Sequence, residues 1–274
     1  MNKILKRSLT GAIFVLVLVG SILFHPISFG LLFAFIIVLG MNEFYSLIKT
    51  KKSIHPQKYL GILFGVLLFS ATFLHARNYL NSSLFILIIP ALAGLFLVEL
   101  YRNKPNPFEN IAFTILGIIY IAVPFSFLPY LLYHDTLTFA FKPEIVLGYF
   151  VLIWTNDTGA YLTGITIGKH PLFKRISPKK SWEGFIGGML FTVAISLLVS
   201  KFSHELNPYH WMAVAAIIAV FGVLGDLVES MLKRSLDVKD SGNILPGHGG
   251  ILDRFDSILI SSPFVFTFIQ LFTS

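Results

Sequence analysis

The chain has 274 residues, of which 55% are hydrophobic and only 13% charged, with a mean hydropathy of +0.78. Soluble domains carry about 25% charged residues, so this composition describes an integral membrane protein. Loops flanking the membrane account for the net charge of +7, nucleic-acid binding is a poor reading of it, and the absence of cysteine excludes disulfides and thiolate metal sites.

A hydrocarbon core of about 30 Å takes roughly 20 helical residues to cross. Apolar runs of that order fall at 9–24, 28–48, 59–75, 83–98, 110–133, 145–165, 184–200, 209–228 and 255–272, which predicts an all-α polytopic bundle of nine spans. Lys3, Lys6 and Arg7 precede the first run as in a secretory signal, but LFHPISFG follows where a small-x-small cleavage site would stand. The run is expected to be a retained span. With the N-terminus inside, only Arg77, Lys142 and Lys201 of the 21 Lys and Arg lie on the outer side. That imbalance puts the loops at 166–183 and 229–254 in the cytoplasm, and the two spans between them return the chain to the same side.

Pro124 and Pro129 interrupt the fifth run, which predicts a kink or a division into a span and a re-entrant piece. No internal repeat or low-complexity linker is visible, and the acids concentrate toward the C-terminus. The chain is expected to be a single integral membrane domain over 1–274, with 1–140 mainly scaffold and 145–274 the catalytic half.

The sixth run ends in WTNDTGAYLTG, where helical spacing puts Trp154, Asp157 and Tyr161 on one face and leaves Gly159, Ala160 and Gly164 for close helix packing. Charged residues inside spans usually line a cavity, so Asp157 is a site candidate; the alternative is a polar packing residue bonded to a neighbouring helix. In KHPLFKRISPKKSWEG, Ser177 before Pro178 has the form of an N-cap and first helical residue. Lys179 and Lys180 are then expected in a first turn whose free N–H groups attract anions, with Ser181 beside them. Lys169, Lys174 and Arg175 fit the positive-inside rule or contact with anionic lipid heads.

In GDLVESMLKR, Asp226, Glu229 or Ser230, and Lys233 recur every three to four residues and form a polar stripe on one helix face. An i,i+4 pair of Glu229 with Lys233 accounts for two of these, at a few tenths of a kcal/mol if exposed, but not for the deeper Asp226. The loop KDSGNILPGHGG carries Gly242, Gly247, Gly249 and Gly250, a composition that lets backbone N–H groups turn toward an anion. His248 is open between a phosphate contact and an imidazole bonded to a backbone carbonyl. Asp253 and Asp256, three apart, face the same way from the start of the last helix. Carboxylates on three helices and cations on two loops together predict a metal and polyphosphate site, for which magnesium suits oxygen donors better than zinc.

The segment from Ser230 to Asp256 resembles the signature of the phosphatidate cytidylyltransferase, or CDP-diacylglycerol synthase, family. The likeness is carried by Ser230, Lys233, Arg234, Lys239, Asp240, Gly242, Leu245, Pro246, His248, Gly249, Gly250, Asp253, Arg254 and Asp256. Asp157 and the run Ser177, Pro178, Lys179, Lys180, Ser181 and Glu183 add to it, and size and span number agree along essentially the whole chain. What the resemblance implies is transfer of a cytidylyl group from CTP to phosphatidate, giving CDP-diacylglycerol and pyrophosphate, with Mg2+ and a second, monovalent cation. It assigns metal binding to Asp226 and Asp253, with Asp256 and Glu229 as further ligands. Neutralisation of CTP and pyrophosphate falls to Lys233, Arg234, Lys239 and Arg254, and phosphate holding to Lys179, Lys180 and Ser181. Ser230, Asp240, Asp157, His248, Gly249 and Gly250 complete the substrate-binding set. By resemblance alone a homodimer is expected; the absence of an organelle-targeting segment predicts a bacterial-type inner membrane, and the charge imbalance an active site with a polar cavity on the cytoplasmic side.

Two other classes share parts of this pattern. A CTP-dependent kinase of a polyprenol-type lipid shares the cations and the metal but needs a base near a hydroxyl. A transporter also keeps ionisable groups inside spans, but is expected to show matched repeats, which this chain lacks.

Overall fold

The computed structural model describes residues 3–51, 53–134, 138–242, 244 and 249–273. Its helices are α1 (Lys3–Phe24), α2 (Pro26–Ile48), α3 (Lys58–Ala76), α4 (Ile88–Arg102), α5 (Pro107–Gly117), α6 (Val123–Leu132), α7 (Glu144–Ile167), α8 (Trp182–Phe202), α9 (Pro208–Ser235) and α10 (Leu252–Phe272). A 3-10 segment (Ser82–Leu87) leads into α4, a π turn (Ile118–Ala122) joins α5 to α6, and strands β1 (Pro171–Phe173) and β2 (Ser177–Ser181) lie between α7 and α8.

Among the described residues, seven helical stretches are long and apolar enough to cross a membrane. The other two predicted spans are α1, whose apolar run Ser8–Phe24 is shorter, and α7, which carries the polar WTNDTGAY stretch. The architecture is therefore the expected all-α membrane bundle, with one small hairpin added. The fifth span does not divide: Pro107–Leu132 is continuous. Pro124 has no N–H to offer the preceding turn, and the π turn just before it absorbs the mismatch without ending the helix.

Two compact units make up the chain, Met1–Tyr130 with Leu236–Arg254, and Leu131–Ser235 with Phe255–Ser274. In the first, α2 is the buried element: Phe29, Phe33, Ile37, Met41, Phe44 and Tyr45 are all within 1% of full burial. Tyr45 Oη donates to the Thr114 carbonyl at 2.7 Å. Glu99, also buried, accepts from Gln57 Nε2, Asn110 Nδ2 and Arg102 Nη1 at 2.6 to 2.7 Å, so the connection before α3 is tied to α4 and α5 by a satisfied carboxylate. Such satisfaction is what makes a buried charge tolerable.

In the second unit α7, α8 and α9 pack through small residues. A Cβ on Gly159 would stand 2.9 Å from Phe191 and one on Gly188 the same distance from Ala160, so the predicted role of the small residues of α7 is met. Trp211 fills the space left by Gly148, the rings of Phe221 and Phe264 stack at 3.6 Å, and Tyr149 Oη lies 2.6 Å from Ser261 Oγ.

Candidate active site

The hairpin begins where a helix is predicted. Ser177, Pro178, Lys179 and Lys180 lie in β2, paired antiparallel with β1 in the register Pro171 with Ser181 and Phe173 with Ser177. The residue before a proline disfavours helical backbone, so Ser177–Pro178 extends and the helix waits for the next cap. That cap is Ser181, whose hydroxyl accepts the Gly184 N–H at 3.1 Å. Lys179 and Lys180 are therefore not in a helical first turn. Glu183 closes the base of the hairpin, accepting from the Lys169 and His170 N–H groups at 3.0 and 3.2 Å and pairing with His170 Nδ1 at 2.5 Å.

What places the hairpin is a small apolar cluster: Ile176 is buried against Val223 and Leu227 of α9, with Leu172 and Phe185 around it. Val223 and Leu227 bracket Asp226 on that helix. The consequence is direct contact between the lysine loop and α9, since Lys180 Nζ lies 2.6 Å from Asp226 Oδ2. The stripe on α9 forms as its spacing demands. Ser230 Oγ donates to Asp226 Oδ1 at 3.2 Å, and Lys233 Nζ pairs with Glu229 Oε2 at 2.5 Å. This last pair is not the exposed i,i+4 bridge of a helix surface, because the Glu229 side chain is 1% exposed and that of Lys233 12%.

Asp256, from α10, lies within electrostatic reach of Asp226, Glu229 and Asp157. It approaches through Gly225, where a Cβ would run into the Asp256 carbonyl. Its Oδ1 accepts the Ser257 N–H at 2.6 Å. The second unit thus gathers four predicted acids and two predicted lysines from α7, β2, α9 and α10. Lys179 is exposed on the hairpin, and Arg234 is exposed at the end of α9.

The remaining predicted residues belong to the first unit. Lys239, Asp240 and Arg254 are exposed. His248, with Leu245, Pro246 and Gly247, lies outside the described residues. Asp253 Oδ2 accepts the N–H groups of Ser241 and Gly250 at 3.1 and 2.8 Å and the Ser241 hydroxyl at 3.0 Å. Gly249 has a φ of +81°, and a Cβ there would also meet Asp253 Oδ2. Around these glycines the described N–H groups do turn toward anions, as predicted, but the anions are the protein's own carboxylates. One of them, Glu43, is absent from the predicted site. A lone carboxylate in the apolar run 28–48 is the signal that could have found it.

The donor set of the second unit suits a hard cation in kind, since Asp226, Glu229 and Asp256 offer only carboxylate oxygen. Among the described residues no three His, Cys, Asp or Glu side chains stand as a ready-made metal cage. Lysine ammonium groups neutralise Asp226 and Glu229 instead.

Comparison with other proteins identifies relatives of the whole chain. The chain is 36% identical over 276 residues to the phosphatidate cytidylyltransferase of Bacillus subtilis (strain 168), with 98% of each chain covered. It is 43% identical over 157 residues to that of Staphylococcus aureus (strain COL), covering 57% of this chain and 58% of the relative. The Staphylococcus epidermidis protein of the same name is 41% identical over 157 residues, with the same coverage. The profile of the cytidylyltransferase family matches residues 5–272, spans and polar loops alike, and the protein therefore belongs to that family.

Proposed function

We infer that the protein transfers a cytidylyl group from CTP to phosphatidate, forming CDP-diacylglycerol and pyrophosphate in phospholipid biosynthesis. The observation that carries this reading is the likeness to a phosphatidate cytidylyltransferase over 98% of both chains, which includes every acid and lysine of the cluster around Asp226 within its length. A phosphatidate oxygen attacks the α-phosphorus of CTP, a new P–O bond forms, and the bond to the β-phosphate breaks as pyrophosphate leaves. The attacking oxygen is already ionised near neutral pH, so no strong base is needed; charge repulsion and alignment are the obstacles.

Lysines near carboxylates suit that task. Lys180 reaches Asp226 from a hairpin that also exposes Lys179, and both are placed to meet phosphate once a better counter-ion takes the carboxylate. Arg234, exposed at the end of α9, supplies further positive charge to the triphosphate and the leaving pyrophosphate. Magnesium, the divalent ion this donor set favours, would be held by Asp226, Glu229 and Asp256 and would neutralise developing charge on the phosphates. The charge split supports a cytoplasmic site, because Arg77, Lys142 and Lys201 alone fall in the predicted outer segments.

The test is purified protein with radiolabelled CTP and phosphatidate, with and without magnesium. Labelled CDP-diacylglycerol that requires magnesium is expected. A phosphorylated lipid in its place would move the protein to the lipid kinases, and formation of the product in chelator would remove the metal from the proposal.

A further inference from the structure

We propose that Glu43, on α2, is a positioning residue for the cytidylyl transfer, holding the first turn of α10 and the glycine turn before it. The proposal rests on the functional reading above, because it assigns Glu43 to the same signature stretch. Its geometry stands without that reading.

Glu43 is 4% exposed, in a helix whose buried positions are otherwise apolar or aromatic. A buried carboxylate is costly unless its oxygens are met, so its hydrogen bonds report what it is for. Oε1 accepts the Ile251 N–H at 2.9 Å and Oε2 the Leu252 N–H at 3.0 Å, while the Ser241 hydroxyl, whose one proton is shared with Asp253 Oδ2, lies 3.3 Å from Oε2. Helix α10 starts at Leu252, and the first amides of any helix have no acceptor within it. A local Ser, Thr, Asp or Asn normally supplies one, but Ile251 stands at that place. The acceptor comes instead from a residue more than 200 positions earlier, and its negative charge also sits at the favourable end of the helix dipole.

A second carboxylate interlocks with the first. Ser241 Oγ lies between Glu43 Oε2 and Asp253 Oδ2, and Asp253 Oδ2 takes the amides of Ser241 and Gly250 as well. The glycines serve the same latch. A Cβ on Gly250 would stand 2.6 Å from Glu43 Oε2, and one on Gly242 2.5 Å from Oε1. Loss of the Glu43 charge therefore frees the turn that aims Asp253, while removing no apolar packing.

The decisive variants are Glu43→Gln, which keeps size but places an amide donor against N–H and O–H donors, and Glu43→Asp, which keeps charge on a shorter stem. Hydrogen exchange in the full-length, detergent-purified protein reads the latch directly. Glu43→Gln is expected to speed exchange about ten-fold or more in the segment 249–255 and to leave α3 and α8 unchanged. It is also expected to lower kcat about ten-fold to a hundred-fold with the CTP KM within a few-fold. Glu43→Asp should recover part of both losses. Ser241→Ala, which removes only the bridging hydroxyl, should give the smaller version of the same pattern and guards against a Glu43 variant that fails to fold. Unchanged exchange in 249–255, or general loosening of the first unit with normal kcat in the folded fraction, would overturn the proposal. If the wild-type protein makes no CDP-diacylglycerol, the functional reading fails, yet the exchange measurement still decides whether Glu43 is the latch.

Discussion

The two units satisfy their buried and half-buried carboxylates in different ways. In the first, Glu43 and Asp253 bond to backbone amides and a serine hydroxyl, and Glu99 to two side-chain amides and an arginine. In the second, Asp226 and Glu229 are met by the ammonium groups of Lys180 and Lys233. Amide bonds are directional and belong to the fold, so they fix geometry. An ammonium is a mobile point charge that another cation can replace, and the lysine it frees can turn to a phosphate. Carboxylates held by amides and carboxylates held by lysines are thus separable by their partners.

The sharpest way to break this comparison is to neutralise one acid of each kind. Asp226→Asn and Asp253→Asn are both expected to cut kcat by far more than ten-fold in the radiolabelled CTP assay, since a variant keeping a tenth of the activity has lost only about 1.4 kcal/mol. Only Asp253→Asn should also speed hydrogen exchange in 249–253, because only Asp253 ties backbone amides. Equal exchange in the two variants would erase the distinction.

Lys233 tests the lysine-held kind from the other side. Lys233→Gln leaves Glu229 buried without its ammonium, a change expected to cost about 3–5 kcal/mol and to lower the melting temperature in detergent. Adding Glu229→Gln should recover most of that loss. If the single variant melts like wild type, the pair is solvated and its burial has no energetic meaning.

The smallest effects concern lysines not locked in burial. Lys180→Gln is expected to raise the CTP KM or lower kcat about ten-fold to a hundred-fold, one charge-assisted phosphate contact being worth roughly 1.5–3 kcal/mol. Lys51→Gln, which removes the same charge from an exposed loop that leads to the Glu99 cluster, should change neither constant by more than about two-fold. Equal losses would mean that the cations act through the general surface potential.

Much of this was legible in the residues. Hydropathy located the spans, because a bilayer demands long apolar runs wherever the chain crosses it. Helical spacing put Asp226, Ser230, Glu229 and Lys233 on one face of α9, and loop parity brought the lysine loop to the same end as that helix. Local rules failed at Ser177–Pro178, where an acceptable cap lost to a hairpin anchored by Ile176 on Val223 and Leu227. No periodicity encodes that contact.

The sequence by itself determined the class, seven of the expected spans and the family likeness, all of which depend on composition and near-neighbour spacing. Only the tertiary structure decided which cation meets which acid, that the Glu229–Lys233 pair is buried, and that the amides at the start of α10 belong to Glu43. The physical reason is that burial and hydrogen-bond partnership are properties of packed surfaces. Glu43 and Leu252 become neighbours only when α2 is folded against the start of α10, and nothing within a helical turn of either residue foretells it.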